Sequence, residues 1–167
     1  MPKVIDVHTT FYPESWLNYL GTRTKSPSLE RRGPHSFVMR VKDSPNAYID
    51  RLGHFNVEAR FKDMDAAGVD MQILALTIPG VEMIEREAGI EWARRVNDEL
   101  AAICQKYPDR FRFHIALPMQ DINACVDEIE RAYKKLGAKG ILLFSNADGK
   151  SVTSPEFEPI YAKAEEY

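Results

Sequence analysis

Two rhythms of apolar and polar positions alternate along this chain. Short runs rich in β-branched residues read as strands, and longer stretches with apolar residues every three or four positions read as helices. The first run, Val4–Val7, leads into Asp6, His8 and Thr10. A strand period of two puts those three polar residues on one face. A helix follows over Val57–Ala67, with Asn56 placed to cap it, Gly68 to end it, and Phe61 and Met64 on its apolar side. The second strand is Met71–Leu76. The helix after it covers about Glu87–Tyr107, where Trp92, Val96, Leu100, Ile103 and Tyr107 recur at helical steps and Pro108 forces a stop. The third strand is Phe111–Ala116. Asp121 then caps a helix carrying Val126, Ile129, Tyr133 and Leu136, which Gly137 ends. The fourth strand, Lys139–Phe144, opens into a polar loop with Ser145, Asn146, Asp148 and Gly149. A last helix starts near Pro155 and still runs at Tyr167. From about Pro13 to Asn56 the chain makes a long excursion rich in Gly, Pro, Ser and charge, read as irregular. Within it Ser36–Val41 reads as a short strand or hairpin arm.

Strand–helix alternation with short apolar strands implies a parallel sheet with helical crossovers. Four such units make either a small open doubly wound sheet or half of a (β/α)8 barrel. Periodicity does not choose between them. The last helix pattern has neither a C-cap nor a following strand, and this tilts the reading toward about four β/α units of a barrel. The expectation is therefore α/β, a single domain over 1–167, with the irregular insertion at about 13–56.

Composition narrows the function. The 167 residues hold 22 Lys and Arg against 25 Asp and Glu, for a formal charge of −3. A nucleic-acid protein usually shows a basic patch, and the one loose basic stretch, Arg23, Lys25, Arg31 and Arg32, reads as a solvated loop. No apolar run reaches the roughly 20 residues that cross a bilayer, and the N-terminus shows no signal-peptide pattern. Cys104 and Cys125 fall on apolar helix sides and read as buried thiols rather than a disulfide or metal site. The expected location is cytoplasmic.

The end of the first strand is where an α/β enzyme gathers catalytic groups. His8 is the leading candidate for a metal ligand, weighed against a satisfied core histidine. Asp6 is either a ligand, a partner of one, or an acceptor for nearby backbone N–H groups. Thr10 stands where a metal site favours a second histidine, and its neutral hydroxyl is a far weaker donor. In FRFHIA, Arg112 and His114 share the face opposite Phe111, Phe113 and Ile115, so His114 is a candidate site residue. His35 and His54 lie in the excursion, where exposure is the default. Arg40, Arg51 and Arg60 are candidate anchors for a carboxylate, since the guanidinium fork matches that anion. HExxH, GxGxxG, P-loop and GxSxG patterns are all absent from the sequence.

Three segments carry a resemblance. IDVHTTFYPESW resembles the IDxHxH…P…W opening of the amidohydrolase-2 group, which includes aminocarboxymuconate-semialdehyde decarboxylase and related aromatic-acid decarboxylases. RFKDMDAAGVDMQILALTIPGVE resembles the group's second-strand segment. The stretch from FHIALPMQ to EFEPIYAKAEE resembles its third and fourth units. The resemblance implies a (β/α)8 barrel binding one divalent metal, zinc or manganese. It makes His8 the first-strand ligand, with Asp6 beside it. It puts Thr10 in the place of the usual second histidine and aligns Arg40 roughly with a substrate-carboxylate arginine. His114 and Asn146 are the other substrate-contacting candidates. The group's later ligands, a histidine at the fifth strand and an aspartate at the eighth, have no counterpart in these residues.

The implied activity is decarboxylation of a small aromatic or unsaturated carboxylic acid, impaired in this chain, with metal weak or absent. The alternatives are hydrolysis of a small cyclic ester or amide, and a non-catalytic binding or scaffold protein of the same fold. Open strand edges lead to the further expectation of a homo-oligomer.

Overall fold

The computed structural model describes residues 3–42 and 47–167. β1 (Ile5–Thr10) is followed by α1 (Glu14–Thr22), β2 (Ser28–Gly33), β3 (Ser36–Arg40) and β4 (Ala47–Ile49). A 3-10 turn at Leu52–His54 leads to α2 (Val57–Ala67) and β5 (Met71–Ala75). A second, at Val81–Met83, leads to α3 (Arg86–Lys106). Then come β6 (Phe111–Ile115), α4 (Ile122–Arg131), β7 (Gly140–Ile141), the pair β8 (Asn146–Ala147) and β9 (Lys150–Ser151), and α5 (Glu158–Glu165).

The central sheet runs in the order β1-β5-β6-β7, and each neighbouring pair is parallel. A doubly wound sheet places its first strand between later ones. Here spatial order equals chain order, so the sheet is half of a (β/α)8 barrel. β7 is shorter than the strand expected over Lys139–Phe144. Its pairing is extended by Lys139 N–H to Phe113 O and Leu142 N–H to Ile115 O.

Paired residues on parallel strands share a face. Gln72 and Leu74 pair with Phe111 and Phe113, and Ile73 pairs with Arg112. Phe111, Phe113 and Ile115 are buried, and the Phe61 ring of α2 lies 5.3 Å from that of Phe111. That side is therefore the helix-covered side. Arg112, His114 and Ile73 occupy the other face, which a barrel turns to its lumen.

The capping chemistry is as the sequence dictates. Asn56 accepts Ala59 N–H at 2.8 Å, and Gly68 ends α2 in the left-handed region. Asp121 accepts Ala124 N–H at 2.8 Å. The helix after it widens into a π turn over Ala132–Leu136 before Gly137 stops it.

The excursion departs from its irregular reading. α1 buries Trp16, Leu17 and Leu20, and the Trp16 indole donates to Pro79 O at 3.1 Å and meets Trp92 edge-on. β2, β3 and β4 form an antiparallel sheet packed against α1. Only Leu29 of β2 is buried, among charged neighbours, so alternation is too faint to mark the strand from sequence. Both cysteines are free, Cys125 buried and Cys104 half-buried, and burial pushes each thiol up to about 12. Among the described residues no helix is long and apolar enough to cross a membrane.

A polar network fixes the end of β6. The Asn97 side chain on α3 accepts Ala116 N–H and donates to Ala116 O and to Glu128 Oε1. Arg131 pairs with the same carboxylate at 2.8 Å. Asn97 and Glu128 are essentially fully buried, so each bond lost there leaves an unsatisfied polar group. Asn97→Ala is expected to cost about 2–3 kcal/mol in thermal or urea unfolding. A loss under about 0.5 kcal/mol, the scale of an ordinary surface change, would show that the network does not hold this strand end.

Candidate functional site

Active groups in this architecture collect at the C-terminal ends of the strands. β1 reaches that end through an irregularity. Asp6 pairs with Gln72 and Thr9 with Leu74, so Val7 and His8 together oppose Ile73. Such a bulge shifts the alternation by one residue. Asp6 pairs at position 72 and Thr10 at position 75 of β5, three apart and hence on opposite faces. The single polar face expected for Asp6, His8 and Thr10 is therefore broken.

Each of the three then does something different. Asp6 lies on the helix-covered side, accepting from Gln72 Nε2 at 3.2 Å and from the backbone N–H of His8 at 3.2 Å. His8 is exposed in the bulge. Thr10 lies on the lumen side and accepts from Thr77 Oγ1 at 3.3 Å. Tyr12 Oη stands 3.1 Å from Thr77 Oγ1 and donates to Ile78 O at 2.8 Å. Thr10, Thr77 and Tyr12 thus form a row of hydroxyls across the ends of β1 and β5. Sequence reasoning missed this row. Its one signal was a threonine directly after the second strand.

His114 is half-buried on the lumen face of β6. Its cross-strand partner is Gly140, and a Cβ there would sit 2.9 Å from His114 Cδ2 and 3.1 Å from Nε2. The missing side chain makes room for the ring. Burial lowers the His114 pKa from its ordinary value, and the nearby His8 imidazole lowers it further. His8 and His114 are therefore electrostatic neighbours, contributed by β1 and β6.

Other candidates lie elsewhere. Arg40 is exposed on β3 and paired with Glu30 at 2.6 Å. Arg60 is buried, donating to Gly53 O at 2.6 Å, to Gln72 Oε1 at 3.1 Å and to Thr10 O, so its fork holds backbone together rather than facing a ligand. Asn146 is exposed at the start of β8, and its side-chain oxygen accepts Gly149 N–H at 3.3 Å. His35 is exposed as expected. His54 is half-buried in the 3-10 turn, because its carbonyl accepts Tyr12 N–H and ties it under β1.

The Amidohydrolase (Amidohydro_2) family model matches residues 5–167. A gamma-resorcylate decarboxylase of Rhizobium sp. (strain MTP-10005) is 40% identical over 131 residues, 72% of this chain and 40% of that protein. A 2-amino-3-carboxymuconate-6-semialdehyde decarboxylase of Dictyostelium discoideum is 27% identical over 96% of this chain and 45% of its own length. Among solved structures, a 5-carboxyvanillate decarboxylase from Novosphingobium aromaticivorans, with bound manganese and 3-methoxy-4-hydroxy-5-nitrobenzoic acid, superposes with a TM-score of 0.75. It is 31% identical, over 98% of this chain and 48% of that one. The chain thus spans less than half the length of these relatives.

The two-histidine geometry has a direct check. His8→Ala removes one of the two influences that depress His114, so the His114 pKa is expected to rise while staying below the ordinary value, since burial remains. Imidazole C–H shifts followed by NMR through pH 4–9 read it. An unchanged His114 titration would show that the two rings do not sense each other.

Proposed function

Because the chain belongs to the Amidohydrolase family, we propose that it forms the N-terminal part of a metal-dependent decarboxylase for a small aromatic or unsaturated carboxylic acid. The observation that carries this reading is the 40% identity to a gamma-resorcylate decarboxylase. The manganese-containing carboxyvanillate decarboxylase, alike in fold and 31% identical, supports it.

A divalent metal needs several donors converging on one point. His8 offers an exposed imidazole, the donor type such a metal takes. Asp6, the other candidate ligand, has its oxygens engaged by Gln72 and by His8 N–H. Among the described residues no group of three or more His, Cys, Asp or Glu side chains is placed to hold a metal. These residues do not make a complete metal site.

The chain's own residues supply other things. A neutral His114 on the lumen face can accept a proton or hydrogen-bond a substrate carboxyl group. Asn146 and Arg40 remain substrate-contact proposals, and Arg40 would first have to leave Glu30. An apolar, water-poor surface favours loss of carboxylate charge as CO2 departs. Ile73, half-buried on the lumen face, contributes to such a surface.

Calorimetric titration with 2,6-dihydroxybenzoate, alongside CO2 release, tests the substrate class. Binding of the aromatic acid is expected, with little turnover by these residues alone. Hydrolysis of a small lactone or amide without aromatic-acid binding would overturn the reading.

We further propose weak metal binding. Elemental analysis after dialysis is expected to give well under one equivalent of manganese or zinc. Thr10→His, on the lumen face, is expected to raise affinity modestly, because imidazole is a far better donor than a hydroxyl. Near-stoichiometric metal in the unaltered chain would refute this.

Self-association is proposed as well. β1 and β7 are the outer strands of the parallel sheet, and Val4, Ile5 and Val7 are 52%, 47% and 60% exposed. An apolar strand at a sheet edge favours pairing. Sedimentation is expected to show a dimer or larger species. A monodisperse monomer at high concentration would count against it.

A further inference from the structure

The turn between β5 and α3 carries a carboxyl group that the proposed chemistry does not use. Glu82 lies in the 3-10 turn Val81–Met83, and its side chain folds back over Gly80 so closely that a Cβ at position 80 would collide with the carboxylate. The Glu82 side chain faces a small cavity of about 10 Å³, space for one water. Leu76, Ala116, Leu117 and Leu142, which follow β5, β6 and β7, line it. Asn146, Ala147 and Val152 of the β8–β9 hairpin close it.

Apart from Glu82, the lining residues include no titratable or charged side chain. The next charged residues along the chain, Glu85 and Arg86, are exposed and paired with Arg23 and Asp121. The turn itself is pinned from behind, where Gln120 donates to Val81 O at 2.9 Å and Ile84 O at 3.1 Å. A carboxyl group thus sits on a fixed turn, facing a mostly apolar cavity that a hairpin of two-residue strands helps to close.

We propose that Glu82 is a proton-operated latch on the C-terminal face of the half barrel. As a neutral carboxyl group it lets the 145–152 hairpin seat on the 80–83 turn. As a carboxylate it demands water, and the hairpin lifts to admit it.

The energetics have a definite sign. Two backbone N–H groups, of Gly80 and Glu82, are the hydrogen-bond partners that favour the charged form. Burial outweighs them and pushes the carboxyl up to about 7. A lifted hairpin returns it to the ordinary value of 4.5. Between these two values the closed state holds a proton that the open state has lost. Opening is therefore favoured about tenfold per pH unit across that window and levels off above about 7.

Amide hydrogen exchange on the full chain, corrected for intrinsic rates, tests this at several pH values from 4.5 to 9. Protection of Ala147 and of Val152, whose N–H donates to Ser145 O, is expected to fall between pH 5 and 7 and then flatten. Glu82→Gln, neutral at every pH, is expected to keep the hairpin closed throughout and to remove the dependence. If that variant does not fold, the wild-type profile alone decides. A flat protection profile in the wild type, or a dependence that persists in Glu82→Gln, overturns the proposal. Because the readout involves neither metal nor substrate, its failure is distinct from failure of the decarboxylase reading.

Discussion

The Arg60 guanidinium holds the first two parallel strands and the turn beneath them in one arrangement. It is 7% exposed, and its donors reach Gly53 O, Gln72 Oε1 and Thr10 O, while the Phe11 ring lies 5.5 Å from its centre. These acceptors are neutral. Burial accordingly lowers its pKa, and Asp63 and Asp6 offset part of that effect. An arginine stays charged in such a place where a lysine readily gives up its proton, and only a planar fork reaches several acceptors at once. Gln72 bridges this cation to Asp6. The end of β1, the bulge that displays His8, and the hydroxyl row beyond it all rest on this one side chain.

Much of the architecture is legible in the residues. The four parallel strands are marked by apolar runs, and α2, α3 and α4 by helical spacing with Asn56, Gly68 and Asp121 at their ends. Barrel order needed only the chain-order pairing of those strands. What stayed hidden has physical causes. α1 is nine residues long, with Gly21 near its end, and owes its stability to tertiary packing of Trp16 rather than to propensity. β2 carries charge at three of its six positions, so pairing rather than pattern defines it. The bulge in β1 breaks a period of two that the letters IDVHTT suggest without interruption.

The candidate site was legible residue by residue but not as a geometry. His8 and His114 are placed near each other by β1 and β6, two strands apart in the sheet. Arg60 looked like a substrate anchor because a guanidinium suits a carboxylate. Its burial depends on the turn at Leu52–His54, which no periodicity announced. Glu82 carries no signal in the sequence, because a carboxylate after a Pro-Gly turn is usually solvated. Its surroundings are set by three strand ends and a hairpin that line one cavity with it.

Positions 114 and 140 share one volume. The imidazole rests where a side chain on Gly140 would otherwise stand, so a larger residue at 140 is tolerated only with a smaller or differently turned one at 114. Substitution at either position is thus conditional on the other. Across a set of related sequences this predicts paired change: glycine at 140 wherever 114 is an aromatic ring, and freedom at 140 once that ring is gone.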